Sequence, residues 1–176
     1  MSHTRKNLYH LISLAVCVML GVIMFISDIM MEFLPNIHIV GVLTVVYTVV
    51  YRFRALIPIY IFVFLTGLYG GFAPWWLPYL YIWTALWGVV MLLPKNMPVH
   101  IACIVYPIVC ALHGFAYGVL YAPAQALIYG FDFNQTVAWI ISGIPFDITH
   151  GVSNVFTGML ILPLSKLTRK LAKPIL

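Results

Sequence analysis

The chain has 176 residues, of which 64% are hydrophobic and only 7% charged, with a net charge of +5. A soluble domain needs roughly 25% charged residues to cover its surface, so the composition excludes that class and indicates that lipid is the surrounding solvent. Backbone polar groups in lipid must bond within the protein, which leaves helices or a closed barrel. Long continuous apolar runs favour helices, and we predict an all-α integral membrane protein.

Six apolar segments follow one another along the chain, each close to the ~20 residues that a bilayer core of ~30 Å requires. The first ends in "MFISD" rather than in the small residues of a cleavage site, so we interpret it as an uncleaved helix. The three cysteines fall within the segments and imply no disulfide framework. Together the segments predict one membrane domain, 1–176, with six transmembrane helices at approximately 8–27, 34–51, 55–73, 75–94, 99–121 and 135–165.

The charged residues predict the orientation of these helices. With six spans, all nine lysines and arginines lie on one side of the membrane, whereas Asp28, Glu32 and Asp132 lie on the other. The positive-inside rule makes the basic side cytoplasmic, with both termini inside. Because the positive charge is divided among several short loops, it indicates topology and not nucleic-acid binding.

The sixth segment contains Asp147 and His150 inside an otherwise apolar run, "GIPFDITHGVSN". At about 100° per residue, His150 lies about 60° from Asp147 and Asn154 about 20° from it, so the three share one helix face. Ionisable groups within a membrane are costly and mark functional sites by default. A helix over the whole segment would be too long for the bilayer, so we expect a break at Pro145 that leaves the polar face open to the outside. We therefore predict that Asp147, His150 and Asn154 bind a substrate.

A structural interpretation of the same stretch remains open. Asp147 would then cap the first turn of a helix that starts at Pro145. His150 and Asn154 would join neighbouring helices by hydrogen bonds. Because no second carboxylate accompanies the acid–histidine pair, we predict no metal site.

Other segments bring aromatic and polar side chains toward the same outer rim. In the fourth segment, Trp76, Tyr79, Trp83 and Trp87 fall within an arc of about 60°, although an aromatic belt at the membrane interface is an alternative interpretation. The fifth segment carries a semi-polar stripe, and the loop "YGGFAPWW" is a candidate lid. His38 is expected to make a local hydrogen bond. The further predicted substrate-binding residues are His113, Tyr117, Trp76, Tyr79, Trp83 and Asn36.

These features resemble the substrate-binding S components of energy-coupling-factor (ECF) transporters, which are bacterial vitamin importers. The segment "LPNIHIVGVLTVVYTVVYRFRALIPIYIFVFLTGLYGGFAPWWLPYLYIWTALWG" looks like helices two to four of that family. "GIPFDITHGVSNVFTGMLILPLSKL" is similar to its last helix, where a G-x-P-[FD]-D-x-x-H-x-x-x-N pattern recurs. The resemblance implies a binder in the cytoplasmic membrane that captures a small vitamin or vitamin precursor from outside. It also implies docking on a membrane scaffold subunit with two ATPase subunits, and neither a cofactor nor an enzymatic activity in this chain, which lacks a Walker loop.

The first helix of that family commonly carries an A-x-x-x-A pattern for docking on the scaffold. Here Ala15 is followed four residues later by Met19. Ser13, Cys17 and Gly21 instead form a stripe of small residues that allows close helix approach. We predict that this stripe is the docking face.

Two other classes of function remain open at this point. One is a membrane-embedded enzyme that uses Asp147 and His150 as acid and base, and the other is a stand-alone facilitator or a structural subunit of another complex. An enzyme would lose turnover but retain binding when Asp147 becomes Asn. A facilitator would move its solute in liposomes without ATPase subunits.

Overall fold

The computed structural model describes residues 3–172, except for the side chains of residues 3–6 and 9. The side chains of Arg5 and Lys6, and all of Lys173, which enter the orientation argument, therefore lie outside the described residues. The described chain contains α-helices and short 3-10 turns but no strand, so the all-helical prediction is confirmed for this part of the chain. Four helical stretches are long and apolar enough to cross a membrane, namely His10–Met31, Val40–Gly70, Pro74–Leu92 and Val99–Tyr129.

Eight α-helices follow one another in the described residues. Short 3-10 turns lie at Arg52–Ala55 and at Pro74–Trp76. The helices are α1 (His3–Met31), α2 (Val40–Tyr51), α3 (Leu56–Gly70), α4 (Tyr79–Leu92), α5 (Val99–Phe115), α6 (Tyr117–Tyr129), α7 (Phe133–Gly158) and α8 (Ile161–Ala172).

Helix α2 is the centre of the fold. Every residue from Val40 to Val50 is buried, and the helix packs mainly against α4, α5 and α8. Its 12 residues span only ~18 Å, and because other helices cover it on all sides, it has no need to match the bilayer thickness. It begins at Val40 rather than at the predicted Leu34, since Pro35 and Asn36, whose φ is 60°, hold the preceding segment in turns.

The chain reverses direction between α2 and α3. Arg52 adopts a φ of 54°, and its side chain donates a hydrogen bond to the carbonyl oxygen of Met91 (2.8 Å). The indole nitrogen of Trp87 donates in turn to the carbonyl of Arg52 (3.1 Å). Residues just before α2 and at the end of α3 line one cavity, so the two helices run antiparallel.

Helices α5 and α7 pack closely against each other. A Cβ atom added to Gly114 would lie 2.9 Å from the Cα of Gly151, and one added to Gly158 would lie 2.9 Å from the Cα of Pro107. Such small residues allow two backbones to approach closely, as in membrane helix pairs. Pro107 lies inside α5 and does not end it. The helix is interrupted later, at Ala116, where α6 begins.

Helix α7 continues through Pro145, so the predicted break at this residue is wrong. The helix begins earlier, at an Asp132–Gln135 capping box with hydrogen bonds of 2.8 and 2.9 Å. Pro145 lies on the exposed face of α7. The polar groups of α7 lower its hydropathy, and it is not among the four apolar candidate spans. It ends at Gly158, and the amphipathic α8 follows after a two-residue turn.

Six of the described charged side chains lie toward one end of α2 or the other. Asp28 and Glu32 lie beside the segment that precedes α2, and we call this the acidic end. Arg52 follows α2, while Lys95, Lys166 and Arg169 surround a cavity that also contacts Val49 near its last turn. We call this the basic end.

Candidate functional site

A cavity of about 460 Å³ opens at the acidic end. Its walls come from the end of α1, the segment between α1 and α2, the end of α3, the turn before α4, the first turns of α4 and α6, and one residue of α7. A small molecule needs a concave site with apolar walls and a few placed polar groups, and this cavity has both. Its aromatic lining residues are Tyr69, Trp75, Tyr79, Tyr117 and Tyr121, and its polar or ionisable ones include Asp28, Glu32, Asn36, His38, Thr66 and His150.

Four of the nine predicted substrate-binding residues line this cavity: Asn36, Tyr79, Tyr117 and His150. They come from four different parts of the chain. The reversal of the chain at Arg52 and the break between α5 and α6 at Ala116 bring these parts together. The other five, His113, Trp76, Trp83, Asp147 and Asn154, lie outside its lining.

Two histidines lie side by side in the cavity wall. The rings of His38 and His150 have centroids 4.6 Å apart. The ring centroids of Tyr117 and His150 are 5.0 Å apart. His150 is only 2% exposed, yet within the described part of the chain neither its Nε2 nor the Nδ1 of His38 has a hydrogen-bond partner. A buried polar group without a partner is costly, so these two nitrogens are available to a ligand.

His38 lies in the segment between α1 and α2. Burial and, to a smaller extent, the neighbouring His113 lower the pKa of its imidazole to about 4. His38 is therefore neutral near pH 7, and a neutral imidazole offers one donor and one acceptor nitrogen.

Two carboxylates line the cavity near its mouth. Asp28 and Glu32 are four residues apart at the end of α1, and Tyr69 donates a long hydrogen bond to Glu32 (3.4 Å). None of the described lysines and arginines lines the cavity. Sequence reasoning used these acids only for topology, although their one-turn spacing at a helix end was a signal that they face the same side.

The loop between α3 and α4 connects the aromatic residues of α4 and α6 that line the cavity. Tyr121 of α6 donates a hydrogen bond to the carbonyl of Trp75, and the ring of Trp75 packs edge-on against Tyr79 (5.7 Å). This loop is the predicted lid, and Gly71 within it has a φ of 83° that favours glycine. Trp75 and Tyr121 were not among the predicted site residues.

Asp147 has a different position from the one predicted. Both of its carboxylate oxygens accept from the backbone N–H of Gly118, at 3.0 and 3.1 Å. Gly118 is the second residue of α6, where the break at Ala116 leaves amides without partners inside the helix. Asp147 therefore caps a helix, as the structural interpretation held, but the helix is α6 and not its own.

Asn154, the remaining polar residue of that face of α7, connects neighbouring helices. Asn154 is fully buried, and its Nδ2 donates to the carbonyl of Cys110 on α5 (3.1 Å). A Cβ atom added to Gly41 of α2 would lie 3.6 Å from the same Nδ2. Asn154 thus lies where α2, α5 and α7 meet.

The predicted residues of the aromatic stripe lie at different depths. Trp83 is 1% exposed and forms part of the core behind His38, at a ring distance of 5.9 Å. The indole nitrogen of Trp76 donates to the carbonyl of Val63 (2.6 Å). His113 Nε2 lies 3.1 Å from the carbonyl of Ile82 and its ring packs beside Trp83. These three side chains support the cavity wall from behind.

The small-residue stripe of α1 is used inside the molecule. Cys17 and Gly21 are buried, and a Cβ atom added to Gly21 would lie 2.8 Å from the carbonyl oxygen of Pro58 on α3. Ser13 is half-buried on the same face. The predicted docking face is therefore covered by α3, and the face of α1 left exposed carries Ala15 and Met19.

In the part of the chain that the structure describes, no three His, Cys, Asp or Glu side chains are grouped so that they would hold a metal ion. Comparisons with protein-family models, curated proteins and solved structures gave no match.

Proposed function

We propose that this chain is the substrate-binding S component of an ECF-type vitamin transporter in the bacterial cytoplasmic membrane. It captures a small vitamin or vitamin precursor from outside and delivers it for ATP-driven import with a scaffold subunit and two ATPase subunits. The observation that carries the proposal is the cavity at the acidic end, where His150 and His38 present unpartnered nitrogens among aromatic walls. The resemblance of the sequence to that family supports the same reading.

The proposed topology has six spans, with both termini in the cytoplasm. The stretch Val40–Gly70 contributes two antiparallel passes because the chain reverses at Arg52. Helix α7 supplies the sixth pass, with its polar residues directed at other helices rather than at lipid. The positive-inside rule then makes the basic end cytoplasmic and the cavity at the acidic end outward-facing.

The lining also supports a ligand class. Asp28 and Glu32 are the charged residues of the lining, and an anionic ligand would meet like charge there with no lysine or arginine to offset it. Tyr and Trp rings attract cations over their faces. We therefore expect a flat ligand that is neutral or positively charged.

The proposal is tested by native mass spectrometry of the detergent-purified chain, together with co-purification from cells that express a complete ECF module. We expect one small molecule bound per chain and a stable complex with the scaffold and ATPase subunits. His150→Ala is expected to lose the bound molecule, whereas His100→Ala, a control at an exposed histidine outside the cavity, retains it. Solute movement in liposomes that contain this chain alone would contradict the proposal and favour a facilitator.

The enzyme alternative has less support. It requires Asp147 and His150 to act on one substrate, but Asp147 is bonded to Gly118 and lies outside the cavity lining that contains His150. Nothing in the geometry joins the two side chains as an acid–base pair.

A further inference from the structure

A second cavity, of about 390 Å³, lies at the basic end. It is enclosed by the last turn of α2, the turn between α4 and α5, the first half of α5, and α8. Three basic side chains line it: Lys95 from the turn, and Lys166 and Arg169 from one face of α8. The sequence separates Lys95 from the other two by more than two helices, and only the packing of α8 against α2 and α5 brings them to one cavity.

None of the described residues that line this cavity carries a carboxylate to balance its positive charge. The four acidic residues of the chain are Asp28, Glu32, Asp132 and Asp147, and none of them lines the cavity. Arg169 donates one bond to the carbonyl of Val49 (3.3 Å). A guanidinium has five N–H donors, so this contact anchors the side chain and leaves donors for a second partner.

An independent observation points to a ligand in the same place. Ser165 is 3% exposed and lines the cavity, but its Oγ has no hydrogen-bond partner among the residues that the structure describes. A buried hydroxyl without a partner is unfavourable unless a bound group supplies one. An anionic oxygen held between the basic side chains would accept that hydrogen bond.

We propose that this cavity binds a phosphate group. Arginine, lysine and a serine hydroxyl are the donors that tetrahedral phosphate oxygens accept, and their charges favour an anion. The group has two possible sources, the headgroup of an anionic phospholipid or a phosphate compound dissolved in the cytoplasm. Helix α8 favours the lipid, because it is amphipathic, carries basic residues on its polar face and follows directly on the last long helix, as interfacial helices do. The inference does not depend on the transport function.

The lipid source is tested on the full chain in nanodiscs of phosphatidylcholine alone and of phosphatidylcholine mixed with phosphatidylglycerol. Native mass spectrometry should detect retained phosphatidylglycerol on the wild type. Each of Lys95→Gln, Lys166→Gln and Arg169→Gln should weaken retention by roughly fivefold, and their combination by on the order of a hundredfold. Lys170→Gln is the matched control, since Lys170 is exposed on the same helix but does not line the cavity.

Ser165→Ala separates a built site from a diffuse basic surface. Loss of the hydroxyl removes a hydrogen bond without a change in charge, so only direct contact with the ligand makes retention fall, by several-fold. The soluble source is tested by inorganic phosphate in detergent, with chloride at equal ionic strength as the reference. Stabilisation by phosphate that Ser165→Ala abolishes would assign the site to a soluble phosphate.

Several results would overturn the proposal. They are equal losses from Lys170→Gln and from the cavity variants, unaltered retention in the triple variant, and a lack of response to both phosphatidylglycerol and phosphate. A triple variant that loses a partner protein on co-purification but retains phosphatidylglycerol would also reject it, because the basic end would then be a protein-docking surface.

Discussion

The hydrogen bonds from the Gly118 N–H to Asp147 lead us to expect that loss of this carboxylate lowers the stability of the protein, whereas a role in substrate binding would lower ligand affinity. In Asp147→Ala, the N–H of Gly118 loses its only acceptor inside a region that is closed to water, since Gly118 is buried. An unsatisfied buried donor costs about 1–3 kcal/mol, and loss of a helix cap costs a similar amount. Because these are two descriptions of the same interaction, the two costs are not added, and we expect a total loss of about 1–3 kcal/mol in the free energy of unfolding.

Asp147→Asn refines that prediction. The amide keeps one oxygen that accepts from Gly118 but loses the charge, and charge-assisted bonds are roughly twice as strong as neutral ones. We therefore expect the Asn variant to lose about half as much stability as the Ala variant. His150→Ala should instead weaken ligand binding, because His150 lines the cavity and its Nε2 has no partner among the described residues.

The assay is apparent melting temperature without ligand, together with the dissociation constant of the ligand identified by native mass spectrometry, for all three variants. Asp132→Ala is a control that removes an exposed cap from α7, and it should cost about 1 kcal/mol without affecting affinity. If Asp147→Ala kept wild-type stability but bound ligand tenfold more weakly, the capping role would be refuted and Asp147 would belong to the binding site.

Three further predictions follow from other features. Gly118→Ala places a Cβ atom 2.4 Å from Oδ2 of Asp147 and should lower the melting temperature, whereas Gly143→Ala, where a Cβ atom meets nothing within 4 Å, should leave it within error of the wild type. Asp28→Asn should weaken binding of a cationic ligand by roughly tenfold through loss of an attractive charge; an unaltered dissociation constant would remove this carboxylate from recognition. In a cysteine-free background, single cysteines at 30 and 132 should react with an impermeant reagent in spheroplasts, but those at 53 and 168 should not; labelling at 53 would overturn the orientation.

Much of the architecture was predictable because it depends on hydropathy and charge, which can be summed over each segment of the sequence. Hydropathy indicated a helical membrane protein, since a backbone in lipid has few ways to satisfy its own hydrogen bonds. The order of apolar segments and loops predicted two sides of opposite charge, and in the structure Asp28 lies beside the segment before α2 and Arg52 follows α2. The course of the helix through Pro145 was not predictable in this way, because the cost of a proline depends on the neighbours that satisfy the freed carbonyl.

The sequence alone determined which residues share a helix face, and only the tertiary structure decided what each face meets. Asp147 and His150 are three residues apart on one side of α7, yet the first contacts the start of α6 and the second lines the cavity. Tyr79 and Trp83 are likewise one turn apart, but one lines the cavity and the other is core. Helical periodicity restricts a side chain to an arc, whereas its partner depends on the position, tilt and interruption of another helix. Asp147 acts as a cap because the helix is interrupted at Ala116, which leaves the N–H of Gly118 in the first turn of α6. The apolar sequence around Ala116 gives no sign of this interruption.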